Sequence, residues 1–331
     1  MTYIYAKKIN GKVYYYLRRS VRNKSKTLSK DICYLGKNLA SVSINELKRK
    51  YPNEIKNYRK IRQLIENENY SKNMEHQKIA ENLFLDKEQL TEINTILLNY
   101  KCNFKKLDIE TKRKILDKFK MKFIMESTSI ESIEKISLEE ITKILKEGIV
   151  PKNKSILCIY KIVNTYKLLN LLEKEKPLLN LRLIEKIPNK IFENILGVEY
   201  RKINKRTSFV KSKINNIKLE LKLLIDWFYK KRLEIHPLVL VILFHHKLKK
   251  IHPFTGLNGE TERVLINYML SLFDYPPIII PKKSKKEYYK IMDKISPKIN
   301  KNILTTNVRI YKPLIDFMQK QFVRTYWNYF V

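Results

Sequence analysis

Leu238-Val239-Leu240-Val241-Ile242-Leu243-Phe244 is an unbroken apolar run of seven residues, and it constrains the fold more than any other stretch of the chain. A surface helix shows one apolar stripe and a half-buried strand alternates, whereas this segment is apolar on every side. It therefore predicts a helix at the centre of a bundle, and whatever follows it is positioned by the most rigid part of the fold. The run is also far too short to span a bilayer, which takes about 20 apolar residues.

Helical spacing recurs around this centre. Ile115, Phe119 and Phe123 form one apolar face. The capping box Ser137-Leu138-Glu139-Glu140 starts a helix that ends before Gly148, with Pro151 just beyond. Ile217, Leu221, Leu224, Ile225 and Phe228 mark another helix, while Tyr200 to Ile214, broken at Asn204-Lys205, reads as a hairpin. At the N-terminus, Tyr3-Ile4-Tyr5 and Val13-Tyr14-Tyr15-Tyr16-Leu17 flank Asn10-Gly11, a strong hairpin-turn signal. A third strand is expected over Ile32 to Leu35, ending at Gly36.

The expected class is mainly α: a helical bundle with a hairpin, plus a small β-module. Residues 1–40 form the basic, aromatic β-module, residues 41–104 a helical linker, and residues 105–331 the helical domain. A chain of 331 residues can bury a core of that size, and a domain of roughly 200 residues with a smaller appendage fits the usual limits.

No signal-peptide pattern opens the chain, so a cytoplasmic protein without a membrane segment is expected. Cys33, Cys102 and Cys158 are odd in number and widely spaced, which suggests neither a disulfide framework nor a zinc site. The formal charge of +35 attracts polyanions. Abundant Lys, Ile and Asn throughout offer a competing explanation, AT-rich codon usage, and composition by itself favours that one. Within the β-module, however, Tyr14, Tyr15, Tyr16, Arg18, Arg19 and Arg22 mix aromatic and basic residues as single-strand binders do, so a weak nucleic-acid contact is one expectation. Strands also need such aromatics to build a core.

The chemistry follows the apolar run, in His252-Pro253-Phe254-Thr255-Gly256-Leu257-Asn258-Gly259-Glu260-Thr261-Glu262-Arg263. The chain has only six glycines, and two fall here within four residues, which calls for positive φ or a close main-chain approach. Asn258 can cap a helix starting near Gly259, whose free N–H groups suit an anion such as phosphate.

At these residues the chain resembles the Fic family, whose motif is H-x-F-x-[D/E]-G-N-G-R-x-x-R. His252, Phe254, Asn258, Gly259 and Arg263 match, and His236-Pro237, His246 and Tyr275-Pro276-Pro277-Ile278 look like family flanking sequence. Ser127-Thr128-Ser129-Ile130-Glu131 resembles the inhibitory-helix signature, with Ser132 where Gly or Asn is expected. Gly197-Val198-Glu199-Tyr200-Arg201 resembles the start of the target-docking flap, and Tyr34-Leu35-Gly36 is similar to the N-terminal region of archaeal Fic-like proteins. The resemblance implies transfer of AMP from ATP to a hydroxyl of a target protein docked at the flap. It implies His252 as general base, Asn258, Gly259 and Arg263 as nucleotide-binding residues, and Ser127 with Glu131 as inhibitory residues.

Three departures all weaken phosphate or metal binding. Gly256 replaces the Mg²⁺-holding acid and offers no side-chain oxygen. Leu257 stands for the first glycine of the turn, and Glu260 for an arginine that would face the triphosphate. The expectation is an autoinhibited protein adenylyltransferase of weak or altered activity, binding ATP weakly and with little dependence on Mg²⁺. The alternative is a catalytically silent Fic-fold binding or regulatory module.

Several residues also carry a plainer reading. His252 also reads as a hydrogen-bonded turn histidine, and Arg263 as the partner of a carboxylate, Glu131 first among them. Thr128-Ser129-Ile130-Glu131 also spells a capping box that would start a helix. Glu260 and Glu262 read as first-turn acids favoured by the helix dipole, and His245-His246 as packing. The oligomeric state stays open, a homo-oligomer included.

Overall fold

In the computed structural model the described residues are 2–23, 26–53, 58–73, 84–131, 134–195, 217–299 and 304–331. They form three strands and twelve α-helices, so the fold is mainly α. The apolar run lies in α9 (Pro237–Ile251), where every residue from Leu238 to Leu248 is buried. Proline at its first turn has the φ a helix needs and lacks only an N–H that would have no intrahelical partner. Around α9 pack α8 (Ile217–Lys231), α10 (Asn258–Leu272) and α12 (Val308–Tyr329). Helix α10 also meets α4 (Ile109–Glu131), α6 (Ile156–Glu175) and α7 (Leu181–Ile191). Residues from all these helices join one main core.

The Ser137 capping box is present at the start of α5 (Leu138–Thr142), and Gly148 closes the π-helical turn after it with φ 68°. Helix α4 departs from the capping-box reading at its end. No helix starts at Thr128: Thr128 and Ser129 are buried inside the last turns of α4, a single helix of 23 residues. Helix α11 (Lys285–Ile295) completes the wall near that end.

At the N-terminus, β1 (Thr2–Ile9), β2 (Lys12–Asn23) and β3 (Lys26–Gly36) form an antiparallel sheet in the order β1-β2-β3. Asn10 and Gly11 turn the first hairpin at φ 47° and 75°, as a two-residue primed turn requires. The third strand begins six residues before the expected Ile32, at Lys26. One face of this sheet packs with α1 (Ile44–Lys50) and α2 (Tyr58–Asn73) around Leu17, Leu35, Leu47, Ile61 and Ile65. Helix α3 (Lys87–Cys102) instead inserts Ile93 and Ile96 into the main core and packs on α12. The 41–104 stretch thus contributes core as well as connection. The hairpin expected at Tyr200 to Ile214, with the Gly197 to Arg201 signature, lies outside the described residues. Among the described residues no helix is long and apolar enough to cross a membrane.

Candidate active site

The site is built where α9 ends and α10 begins. His252 terminates α9 in the left-handed region (φ 49°), its N–H closing on Leu248. The chain then runs through Pro253 to Leu257, which precedes α10 at φ 58°. The positive φ expected at the glycines therefore falls on His252 and Leu257, for neither Gly256 nor Gly259 has one. Gly259 meets the other expectation, close approach. A Cβ there would overlap the Glu131 carboxylate and stand 3.0 Å from Arg263 Nη1. At Gly256 the nearest obstacle to a Cβ is Phe192 Cε2, 4.0 Å away.

Asn258 does not cap α10, which has no side-chain cap; the helix starts at Asn258 itself. Its side chain turns back and pins the loop. Oδ1 accepts the Phe254 N–H at 3.0 Å, and Nδ2 donates to the Phe254 carbonyl at 2.8 Å. Nδ2 also lies 3.2 Å from His252 Nε2. An amide nitrogen can only donate, so His252 Nε2 accepts and keeps its lone pair on the side facing α10.

Arg263, one turn further into α10, is 3% exposed and fully engaged. Nε donates to Ser127 Oγ at 2.8 Å and Nη2 to the Ser127 carbonyl at 3.1 Å, while Nη1 reaches Glu131 Oε1 at 3.1 Å. Ser127 and Glu131 share one face of α4, being four residues apart. Tyr289 of α11 donates to the same Glu131 oxygen at 3.0 Å. Burial alone would raise the Glu131 carboxyl, but the Arg263 charge and the hydrogen bonds from Arg263 and Tyr289 hold it below the usual carboxylate range. Glu131 is thus an anion pressed against the N-terminal turn of α10, where unpaired amides and the helix dipole favour negative charge.

The two motif acids differ from ordinary first-turn residues. Glu260, 8% exposed, pairs with Lys161 of α6 at 3.2 Å. Glu262 is 2% exposed, and neither of its oxygens has a hydrogen-bond partner among the described residues. Burial pushes its carboxyl up to about 7. The nearest base is His245, whose Nδ1 is 3.9 Å away and whose Nε2 lies 2.5 Å from the Tyr288 hydroxyl. His246 faces Ser296 and the Tyr311 ring.

Gly256 brings no oxygen, and among the described residues no group of three or more His, Cys, Asp or Glu is placed to hold a metal ion. The structure brings Ser127, Glu131, Gly259 and Arg263 together, with His252 and Asn258 at the mouth of the same turn. Tyr289 and Lys161 were missed in the sequence. No spacing links them to the motif, and only the packing of α11 and α6 supplies them.

Comparison with known proteins gives a family and a fold. Residues 178–270 match the Fic/DOC family. A stretch of 55 residues is 47% identical to the protein adenylyltransferase Fic of Drosophila mojavensis, and equally to that of Drosophila melanogaster. The stretch covers 17% of this chain and 11% of each fly protein's length. Among solved structures, a Fic domain containing signaling protein from Bacteroides thetaiotaomicron superposes with a TM-score of 0.62 at 21% identity, over 71% of this chain and 93% of that one. Fic-1 from C. elegans gives 0.59 at 21% identity, over 87% and 85% of the two chains. At that identity these two structures speak for the fold.

Proposed function

We propose, for a chain that belongs to the Fic/DOC family through its domain at residues 178–270, that it is a protein adenylyltransferase whose nucleotide site is closed from within by Glu131. The observation that carries this reading is the carboxylate of Glu131, held by Arg263 and Tyr289 against Gly259, where a nucleotide phosphate would otherwise lie on the amides of α10. An acid and a phosphate cannot share that turn, because both need Arg263.

With Glu131 withdrawn, Arg263 becomes the cation for a phosphate, and the first turn of α10 supplies its amides. His252 Nε2, once it lets go of the Asn258 amide that it accepts from here, takes the proton of the target hydroxyl. The hydroxyl oxygen bonds to the α-phosphorus of ATP as the bond from that phosphorus to the bridging β-oxygen breaks, and pyrophosphate leaves. Gly256 and Glu260 keep this chemistry slow and ATP binding weak. One has no oxygen for Mg²⁺, and the other presents a carboxylate where the triphosphate needs a cation.

The test is calorimetric titration of ATP, with and without Mg²⁺, into the full chain and its Glu131→Gly variant, together with transfer of labelled AMP to protein. Glu131→Gly is expected to raise ATP affinity at least about tenfold, a difference of about 1.4 kcal/mol, with little effect of Mg²⁺ on either protein. A folded variant whose ATP affinity is unchanged would sink the proposal. Raised affinity without AMP transfer would favour the second reading, a silent nucleotide-binding module, to which Gly256 and the Glu260–Lys161 pair lend support.

A further inference from the structure

We propose that the outer face of the N-terminal sheet binds single-stranded nucleic acid, with bases stacking on its tyrosines. The register sorts the side chains into two faces. Tyr3 lies opposite Arg18, Tyr5 opposite Tyr16, Lys7 opposite Tyr14, and Tyr16 opposite Tyr34. Alternation along each strand therefore gathers five tyrosines, Tyr3, Tyr5, Tyr14, Tyr16 and Tyr34, on one side. The other side carries Leu17 and Leu35, with Ile4 and Tyr15 beside them, and is covered by α1 and α2. The core is complete without the five tyrosines, so a packing need does not account for them.

Three of these tyrosines, Tyr14, Tyr16 and Tyr34, build one aromatic cluster. The Tyr16 and Tyr34 rings are 5.2 Å apart and those of Tyr14 and Tyr34 6.4 Å, and Tyr34 is 52% exposed. The Arg18 guanidinium lies 3.7 Å over the Tyr5 ring, and Lys37 reaches the Tyr14 ring at 5.5 Å. An exposed Tyr34 with half-buried Tyr14 and Tyr16 beside it, flanked by cations, suits bases and their phosphates, because every base has a face to stack and every linkage carries a negative charge.

The charge argues for a polyanion over a neutral or basic partner, and the aromatic rings argue for nucleic acid among polyanions. Across the whole chain Lys and Arg outnumber Asp and Glu 68 to 33, about two to one. Within residues 1–36 nine Lys or Arg stand against a single acid, Asp31, and that acid is already paired with Arg18 at 2.5 Å. Codon bias that acts on every part of the chain accounts for the first ratio but not for the second. Stacking also selects single strands, since a duplex hides its base faces.

The experiment is fluorescence anisotropy of the full chain with labelled oligo(dT), oligo(U) and a mixed duplex, each of about a dozen nucleotides, at several salt concentrations. Both single strands are expected to bind, and the stronger of the two tells DNA from RNA. Tyr16→Ala with Tyr34→Ala should weaken binding about a hundredfold, a factor of about ten per lost stack, while Tyr16→Phe with Tyr34→Phe keeps it. The Phe pair separates stacking from any damage to the sheet. A charge control, Lys174→Glu with Lys230→Glu on the helical domain, should leave binding within about threefold. Equal binding of duplex and single strand, an Ala pair no weaker than the Phe pair, or a control as damaging as the Ala pair would each overturn the proposal in favour of diffuse charge. Absence of binding to either single strand would overturn it outright.

Discussion

Leu257 shows how one residue trades backbone strain against burial. Its φ of 58° is a conformation that costs an L-residue about 1–2 kcal/mol, yet its side chain is 93% buried, 7% remaining exposed, which contributes about 1.5–3 kcal/mol. Removing the side chain relieves the strain only if the replacement is glycine. Leu257→Gly should therefore destabilise the fold by about 1–3 kcal/mol in urea unfolding, and Leu257→Ala by more, because Ala loses the burial and keeps the strain. That inverts the usual order at a buried position. Ala proving the milder of the two would show that φ is not what matters there. The sequence could not have revealed this. Two glycines flanking Leu257 invited a positive φ at themselves, and only neighbouring contacts put it on the leucine.

At the scale of elements, Glu260 ties α10 to α6 through Lys161. Restoring the arginine of the family motif here has a structural cost, since Glu260→Arg would set two cations side by side in a largely buried space. The single variant should lose about 1–3 kcal/mol of unfolding free energy, and Lys161→Glu added to it should recover most of that. A double-mutant cycle measures the coupling, and additive effects would show that the pair contributes nothing. The helices themselves were readable where start and stop chemistry is local: Ser137 caps α5, Gly148 ends the turn after it, and the all-apolar run marks α9. Two features were not readable. Thr128-Ser129-Ile130-Glu131 carries a start signal inside a helix, because tertiary packing carries α4 through it. The insertion of α3 into the main core depends on α12, more than 200 residues away, as in the Tyr326 hydroxyl bond to Asn99.

Across the whole molecule the buried ionisable groups pull stability in opposite directions with pH. Burial pushes the Glu262 carboxyl up to about 7, so between the ordinary carboxylate value of 4.5 and 7 the folded state holds a proton the unfolded state has lost. Stability from this group is full in acid and falls as pH rises through that window. Burial lowers His236 to about 4 and His246 to about 3, below their ordinary 6.5, and these groups behave oppositely: their contribution is full above 6.5 and is lost as pH falls. Two histidines outnumber the one carboxyl, so the sum of these three groups rises to about pH 7, and Lys247, lowered by burial to about 7, adds stability as pH rises above that value. Glu262→Gln is expected to match the wild type at pH 5 and exceed it by about 1–3 kcal/mol at pH 8, as read from denaturant unfolding at each pH. A variant less stable than wild type at pH 8 would show that the carboxylate has a partner in the fold.

Gly259 has a consequence for the order in which this protein can accept mutations. Any side chain at that position overlaps the Glu131 carboxylate, so the two sites are sterically exclusive. A methyl at 259 would act as a wedge, displacing Glu131 from Arg263 while leaving both residues in place. Loss of Glu131 must therefore precede any change at 259 that leaves α10 undisturbed, whereas the reverse order passes through an intermediate with a prised-open latch.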